Sequence, residues 1–272
     1  MKISDKIFWL IIFIIGSFSC TKVIDIHLDT SPPKLVVEGI VSNNFRETFV
    51  RISKSVEFSE PNNFPAVDNA LVILKDSNTN AFDTLYETKN NEGVLIYKPH
   101  RIKGVIGHTY QLKVNVNGQQ YEASSQMPDS VAFTGLKLFA TNSASDTSVT
   151  FTIVPQYIDQ KGVSNYYRFI QYINHKKDDG INVLNDDVGD GLPNERPIFT
   201  NTINIRLNDT VAVKMLNIDK NVYQYFYELE QNANQLGVTP SNPVSNISNG
   251  ALGYFSAQYE QISVAVISDD GK

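Results

Sequence analysis

The sequence predicts a mainly β protein, in which a β-sandwich is followed by a larger β domain with one packed helix. Short segments of alternating apolar and polar residues recur along most of the chain, and turn residues separate them. A single later segment has its apolar residues at helical spacing instead. Many short strands at regular intervals are typical of a β-sandwich.

The chain opens with a segment typical of a secretory signal. Lys2 and Lys6 precede nine apolar residues, 7–15, and small residues lead up to Cys20. A helix needs about 20 apolar residues to cross the bilayer core, so this run is too short to span it. We therefore predict a signal peptide over residues 1–19.

Cys20 is the only cysteine of the 272-residue chain, which excludes an intramolecular disulfide bond. The stretch SFSC, residues 17–20, resembles the lipobox of bacterial lipoproteins, in which the signal is cut before a cysteine whose thiol then carries lipid. This resemblance predicts that Cys20 is lipidated and that a short tether, 20–32, follows it. The alternative is an ordinary signal peptide followed by an incidental cysteine.

The charge of the chain disfavours nucleic acid as a partner. Removing residues 1–19 leaves 21 basic and 28 acidic residues, a net charge of −7. Binding to a phosphate backbone needs a basic surface. We therefore predict no nucleic-acid partner.

The first module is predicted over residues 33–128 and contains about seven short strands, a number typical of a sandwich. Asn117-Gly118 is a strong signal for a tight turn between two strands. The predicted strands are 35–41, 48–55, 70–76, 81–88 and 94–98, followed by the hairpin 107–126.

Tyr110 gives this module an immunoglobulin-like character. It lies in the pattern G-x-x-Y-x-L-x-V, where immunoglobulin-like folds often place a corner tyrosine that bonds to the backbone. The alternative is an ordinary half-buried tyrosine. We therefore expect an immunoglobulin-like β-sandwich.

The second domain is predicted over residues 129–272. Strands are predicted at 133–140, 147–157 and 165–174, and the last of these should be central because both of its faces are apolar. A hairpin around Asn208-Asp209 should join strands 201–207 and 210–216, and one or two closing strands should occupy 254–267. The helix should begin at 219–221 and end near 235.

The most acidic stretch, residues 185–195, offers a weak metal site. With Asp186 as the first position of an EF-hand loop, Asp190 and Gly191 take the fifth and sixth positions correctly. Val188 and Pro197 then occupy positions that need ligands, so the EF-hand pattern fails. A different calcium loop built on Asp186, Asp187 and Asp190 stays open, and a solvated acidic loop is the alternative.

No motif predicts catalysis or a cofactor. The four histidines show no zinc-ligand spacing, and the sequence has no G-x-S-x-G elbow and no phosphate-binding loop. We predict no catalytic residue, no resident metal and no cofactor, and we assign no ligand-binding residue from the sequence.

Three tripeptides of the form Asp-Ser/Thr-apolar resemble the O-glycosylation pattern of exported proteins in Bacteroidota. The hydroxyl residues in question are Thr84, Ser130 and Thr210. The alternative is that they are ordinary residues of strands and turns.

The order of several segments resembles domain-of-unknown-function family 4249. The segments are CTKVIDIHLDTSPPKLVVEGIV (20–41), NALVILKD (69–76), GVLIYKP (93–99), GHTYQLKVNVNGQQYEASSQMP (107–128) and NPVSNISNGALGYFSA (242–257). The glycines of the last segment, Gly250 and Gly253, suit turns where a side chain cannot fit. That segment is therefore interpreted as a fold signature first, and as a ligand-facing loop second.

The resemblance implies an outer-membrane lipoprotein of Bacteroidota that partners a TonB-dependent receptor, at the cell surface rather than the periplasmic face. It assigns no catalytic residue. The leading hypothesis is a non-enzymatic accessory lipoprotein for substrate capture or uptake, with contacts expected in loops 175–200 and 237–253. A structural or adhesive envelope module is the second hypothesis, and an enzyme is the third.

Overall fold

The computed structural model describes residues 32–57, 60, 63–142, 149–233 and 241–268. The predicted signal peptide, Cys20 and the tether as far as residue 31 lie outside these ranges. By its internal contacts, the chain from Pro33 onward forms one unit.

Two sheets facing each other form the first half of this unit. One contains β1, β2, β6 and β5, and the other has the order β4-β3-β7-β8. Leu85 is buried between β4 and β5, where the chain passes from one sheet to the other. The strands are β1 (Leu35–Ser42), β2 (Phe49–Lys54), β3 (Leu71–Asp76), β4 (Phe82–Thr84), β5 (Tyr86–Lys89), β6 (Leu95–Lys98), β7 (Thr109–Val116) and β8 (Gln119–Gln126).

Two local predictions for the sandwich are confirmed. The hydroxyl of fully buried Tyr110 accepts a hydrogen bond from the backbone N–H of Val105 at 2.9 Å and donates one to the carbonyl of Lys103 at 3.2 Å. Asn117 and Gly118 have φ values of 53° and 81°, as a tight hairpin turn between β7 and β8 requires.

The second half continues the larger sheet through β14 and β11. Residues 201–207, predicted as a strand paired with 210–216, form no strand, so the predicted hairpin around Asn208-Asp209 is wrong. The elements are β9 (Gly135–Asn142), β10 (Val149–Gln156), β11 (Tyr166–Ile173), β12 (Lys176–Lys177), β13 (Asn182–Asn185), β14 (Thr210–Asn217), α1 (Lys220–Ala233) and β15 (Leu252–Val266).

Two apolar clusters explain why β11 is central, as predicted. Tyr167 and Phe169 point to the face covered by the β9-β10 pair, and their cluster includes Val213 of β14. Tyr166 and Ile170 point to the opposite face, which α1 covers. Because both faces are covered, most side chains of the strand are apolar; Arg168 and Gln171 are the exceptions.

Helix α1 is held by a cap and by its apolar side. The carboxylate of Asp219 accepts hydrogen bonds from the first free N–H groups of the helix. Val222 and Phe226 are buried against the sheet, and the guanidinium of Arg168 lies 3.6 Å from the centre of the Phe226 ring. The helix occupies the predicted position.

Strand β15 joins the two halves. Its first part, 252–258, pairs in parallel with β1, and its second part, 259–266, pairs antiparallel with β14. A division of the chain at residue 128 stays a prediction, but the two halves share this strand. The fold class is confirmed, since the unit is mainly β, with two facing sheets in its first half and one α-helix among the described residues.

Of the two glycines expected in turns where a side chain cannot fit, only Gly253 lacks the space, and it lies inside β15; Gly250 has φ of +72° but open space around it. Gly253 has φ of +94°, and a Cβ there would overlap the carbonyl oxygen of Val37 and lie 2.9 Å from its carbon. Asn246 binds both backbone groups of Phe255 with its side-chain amide, the acceptor at 2.7 Å and the donor at 2.9 Å. The Asn246 amide thus makes the two hydrogen bonds that a neighbouring strand would otherwise make with Phe255.

Candidate functional site

A cleft of about 320 Å³ lies beneath the acidic loop of the second half. The residues that follow β10, Tyr157 and Asp159, form its floor, and residues 188–196 form its walls. A backbone hydrogen bond holds the two segments together, since the N–H of Asn194 donates to the carbonyl of Tyr157 at 2.9 Å. Gly191 N–H donates to Asp159 Oδ1 at 2.6 Å, which fixes the opposite wall.

The hydroxyl of Tyr157 is the unusual group of the cleft. Only 4% of this residue is exposed, and its hydroxyl has no hydrogen-bond partner among the described residues. Burial raises the pKa of Tyr157 to about 12, although nearby Arg196 opposes the rise through its charge and as a weak hydrogen-bond donor to the hydroxyl. The hydroxyl oxygen itself is buried beneath the floor of the cleft, and a buried hydroxyl without a partner costs about 1–3 kcal/mol.

Charges of both signs line the same cleft. Arg196 donates to the carbonyl of Asn185 from Nη2, and it forms no ion pair with any described residue. Asp159 is buried, and its Oδ2 accepts no hydrogen bond from the described part of the chain. Glu195 is an exposed carboxylate on the wall. The cleft can therefore donate hydrogen bonds through Arg196 and accept them through two carboxylates.

The carboxylates of the weak metal candidate are not brought together. Asp186 accepts from the backbone N–H of Asn165, Asp187 from the side-chain amide of Asn185, and Asp190 from the N–H of Gly162. Within the described ranges, no group of three or more His, Cys, Asp or Glu side chains is placed to hold a metal ion. These carboxylates bond to nearby backbone and amide groups instead.

Two histidine–aspartate pairs were not anticipated from the sequence, and both lie in the sandwich. His100 Nδ1 lies 3.1 Å from Asp83 Oδ1, and His108 Nδ1 lies 2.9 Å from Asp76 Oδ2. Burial alone would raise the pKa of Asp83, but hydrogen bonds from the backbone N–H of Arg101 and from His100 outweigh it and lower the pKa. Neither pair lines the cleft, and each aspartate also accepts hydrogen bonds from backbone N–H groups. We therefore assign both pairs a structural role, which is to hold the loops that connect the strands.

The predicted modification sites differ in accessibility. Thr84 and Ser130 are exposed, and Thr210 is half-buried in β14. Their O-glycosylation stays a prediction. The lipidation of Cys20 also stays a prediction, because Cys20 lies outside the described residues.

The sequence profile of the family described as Domain of unknown function (DUF4249) matches residues 21–261. The chain belongs to this family. The resemblance drawn from the order of the sequence segments is therefore confirmed. No curated protein matches this DUF4249 chain. The matched residues include the whole cleft and most of β15, and the family description itself assigns no function.

The cleft residues of this DUF4249 chain were not identified by sequence analysis. Tyr157, Asp159 and Arg196 belong to no motif, and the bridge between Ile158 and Pro193 brings them together. The only signal was regional, since loop 175–200 was the expected place for contacts. No helix in the described part of the chain is long and apolar enough to cross a membrane.

Proposed function

We propose that this DUF4249 chain is a non-enzymatic accessory lipoprotein, anchored in the outer membrane through lipid on Cys20. It captures a small ligand in the cleft beneath the acidic loop and works with a TonB-dependent receptor in uptake. The observation that carries the capture role is a cleft of about 320 Å³ lined by the guanidinium of Arg196 and the carboxylates of Asp159 and Glu195.

The anchor and its location rest on the sequence. Residues 1–19 have the form of a lipoprotein signal that is cut before Cys20. Because an anchor of several acyl chains holds a protein firmly in a membrane, no spanning helix is needed. We place the protein at the outer membrane and at the cell surface.

The absence of an enzymatic role rests on the chemistry of the cleft. Arg196 can donate hydrogen bonds and Asp159 and Glu195 can accept them, and no histidine, serine or threonine lines the cleft. Histidine, serine and threonine are common catalytic nucleophiles and bases, although carboxylates can also take these roles. Binding is therefore the function that this set of side chains supports best.

The proposal is tested by affinity purification from native outer membranes, with a C-terminal tag and a mild detergent. We expect a TonB-dependent receptor to co-purify with the lipoprotein, and we expect its yield to fall for the unanchored Cys20→Ala variant. Recovery of the lipoprotein alone, from membranes in which other receptor complexes stay intact, would overturn the receptor partnership.

A structural or adhesive envelope module is the second candidate, and one surface favours it. Ile262, Val264 and Val266 of β15 point to the same face of the sheet, and each is about 60% exposed. Contiguous exposed apolar side chains often mark protein contacts. Co-purification of other envelope proteins, without a receptor, would support this candidate.

A further inference from the structure

We propose that two copies of this chain pair edge to edge through the second half of β15. The residues concerned are Ile262, Val264 and Val266, which we call the open edge. The proposal goes beyond the capture function and does not involve the cleft. It follows from backbone groups that have no partner, from the absence of charge, and from the match of the strand to itself.

The second half of β15 is paired along one side only. Residues 259–266 pair with β14, whereas β1 pairs with 252–258 and then ends. On the β1 side, the side-chain amide of Asn43 binds the N–H of Glu260 at 2.7 Å and its carbonyl at 3.2 Å. Every second residue of a strand points its backbone groups to the same side, so those of the open edge also point away from β14. No residue in the described part of the chain binds them.

The open edge lacks the protection that free strands usually have. Free edges of soluble proteins commonly carry charged side chains or proline, which prevent pairing with another chain. The two outer strands of the large sheet follow this rule, since β12 consists of Lys176–Lys177 and β5 contains Glu87 and Lys89. Residues 261–268 contain no charged residue and no proline. Two copies of this acidic chain can therefore approach here without charge repulsion.

The open edge is also complementary to itself. When two copies run antiparallel about a two-fold axis at Val264, this residue lies opposite its own copy, and Ile262 lies opposite Val266 of the second copy. All three side chains are about 60% exposed and lie on one face, so every pair across the joint is apolar. Each pair can also exchange two backbone hydrogen bonds. The charge and the side chains of the open edge thus suit a second copy as its occupant.

The joint should be weak because it is short. Stable interfaces bury about 1,200–2,000 Å², which is more than one pair of short strand segments supplies. A disulfide bond across the joint can trap a weak dimer. In an antiparallel pair of this kind, the Cα atoms of the two copies of residue 264 lie about 5.5 Å apart, within the range that a disulfide bond spans.

Single cysteines test the joint and its register in intact cells that express the full-length chain. The two copies of residue 262 would lie roughly 13 Å apart, too far for a disulfide bond. Under mild oxidation, we expect Val264→Cys to yield roughly 10-fold more disulfide-linked dimer than Ile262→Cys, as non-reducing electrophoresis measures. Co-expression of Ile262→Cys with Val266→Cys should restore the dimer.

Two controls give the background of cross-linking. The wild-type chain has Cys20 as its only cysteine. Val244→Cys places a thiol at a valine that is 65% exposed and lies outside the strands. Neither should form the dimer.

A second measurement uses two differently tagged copies of the chain. We expect them to co-purify, and we expect Val264→Lys to abolish this by placing like charges opposite each other at the centre of the joint. Because Val264 is exposed, the variant should fold, and circular dichroism checks that it does.

The other outcomes contradict the proposal in different ways. Equal dimer yields from Val264→Cys, Ile262→Cys and Val244→Cys would indicate random collision. Co-purification of the two tagged copies that Val264→Lys does not weaken would place their contact elsewhere. Copies that never co-purify, together with a different protein that Val264→Lys releases, would show that the open edge binds a strand of that protein and not a second copy.

Discussion

The hydroxyl of Ser125, on β8, donates a hydrogen bond to the carboxylate of Asp219, which caps α1. The same hydroxyl accepts a hydrogen bond from the backbone N–H of Ala257, on β15, at an N···O distance of 2.8 Å. Asp219 in turn accepts from the N–H groups of Asn221 and Val222 at 2.9 and 3.0 Å. One serine therefore connects the sandwich, the helix and the strand that both halves share.

Replacing this serine should destabilise the whole unit. Ser125→Ala leaves the N–H of fully buried Ala257 without a partner, and such a loss costs about 1–3 kcal/mol of unfolding free energy. Urea unfolding of the variant measures the cost. Ser124→Ala, at the exposed neighbouring position, is the control and should change stability by less than about 0.5 kcal/mol. Equal effects of the two substitutions would contradict the role of Ser125.

Asp219 should make stability depend on pH in the opposite direction to most carboxylates. Burial raises the pKa of Asp219 above 3.8, although hydrogen bonds from Ser125 and from backbone N–H groups oppose the rise. Folding therefore favours the protonated form, whose contribution is complete below pH 3.8 and is lost as pH rises through the folded-state pKa.

The comparison of wild-type protein with Asp219→Asn tests this dependence. Asparagine is also a good N-cap, so the variant should be at least as stable as the wild type at pH 7, with a smaller advantage at pH 4. Asp219→Ala removes the cap and should cost about 0.5–2 kcal/mol. Urea titrations at both pH values measure these differences, and an advantage that grows toward acid pH would refute the assignment.

Gly253→Ala should prevent correct folding or cost several kcal/mol. The new Cβ would overlap the carbonyl oxygen of Val37 on the paired strand, and φ of +94° is strained for alanine. Gly250→Ala is the matched control because φ is +72° there and no atom lies within 4 Å of the added Cβ, so only about 1–2 kcal/mol is expected. Circular dichroism and thermal melting separate the two. A folded Gly253→Ala variant with an unchanged Tm would show that the two strands can move apart.

Asp178 should make the protein sensitive to acid. Burial alone would raise its pKa, but hydrogen bonds from the N–H groups of Asn201, Thr202, Gly180 and Ile203 outweigh it and lower the pKa below 3.8. The ionised form is therefore favoured by folding, and its contribution is present above pH 3.8 and is lost as pH falls through the folded-state pKa.

Asp178→Asn should remove this contribution. We expect the free energy of unfolding to fall by about 1–3 kcal/mol at pH 6. The side-chain NH₂ of asparagine would face backbone N–H groups, and it cannot accept their hydrogen bonds. The loss should be smaller at pH 3, because the contribution of the ionised carboxylate declines once the pH falls below 3.8. Asp179→Asn, at the exposed neighbouring position, should be neutral at both pH values. Chemical unfolding at the two pH values measures the loss of unfolding free energy. A loss that does not change with pH would contradict the claim that the ionised form of Asp178 stabilises the fold.

Calcium should not stabilise the protein. Asp186 and Asp190 accept hydrogen bonds from the backbone, and no group of three or more acidic, His or Cys side chains in the described ranges is placed to hold a metal ion. A ligand present at 100 times its Kd would add about 2.7 kcal/mol to the free energy of unfolding, which thermal melting detects readily. We expect equal Tm values in millimolar calcium and in EDTA. A higher Tm in calcium would revive the calcium loop and assign these carboxylates to it.

The sandwich could be predicted in detail because its signals are local. Alternation such as that of 109–116 fixes a strand and its inward face, and Asn117-Gly118 fixes the turn that follows. Tyr110 could be placed for the same reason, since its backbone partners, Lys103 and Val105, lie only a few residues away.

Signals that depend on distant residues could not be found in the same way. The pairing of Val37 with Gly253 joins the two ends of the sequence, and no local pattern encodes it. Ile203 and Ile205 alternate like strand residues, yet they pack on the apolar cluster next to β10 without joining a sheet. Tyr157 and Arg196 meet through the bridge between Ile158 and Pro193, so the cleft also lay beyond sequence analysis.

The parallel pairing of β1 with β15 has a consequence for the order of folding. During synthesis from the N-terminus, 35–42 would emerge early, but one of its two neighbours, 252–258, would not exist until nearly the whole chain is made. Until then, the growing polypeptide carries an unfinished sheet with an open edge, a state prone to wrong pairing. Contacts between the chain ends also make closure slow. A late, all-or-none completion of the fold follows, and a chain truncated before residue 252 would leave both halves unfinished and open to proteolysis.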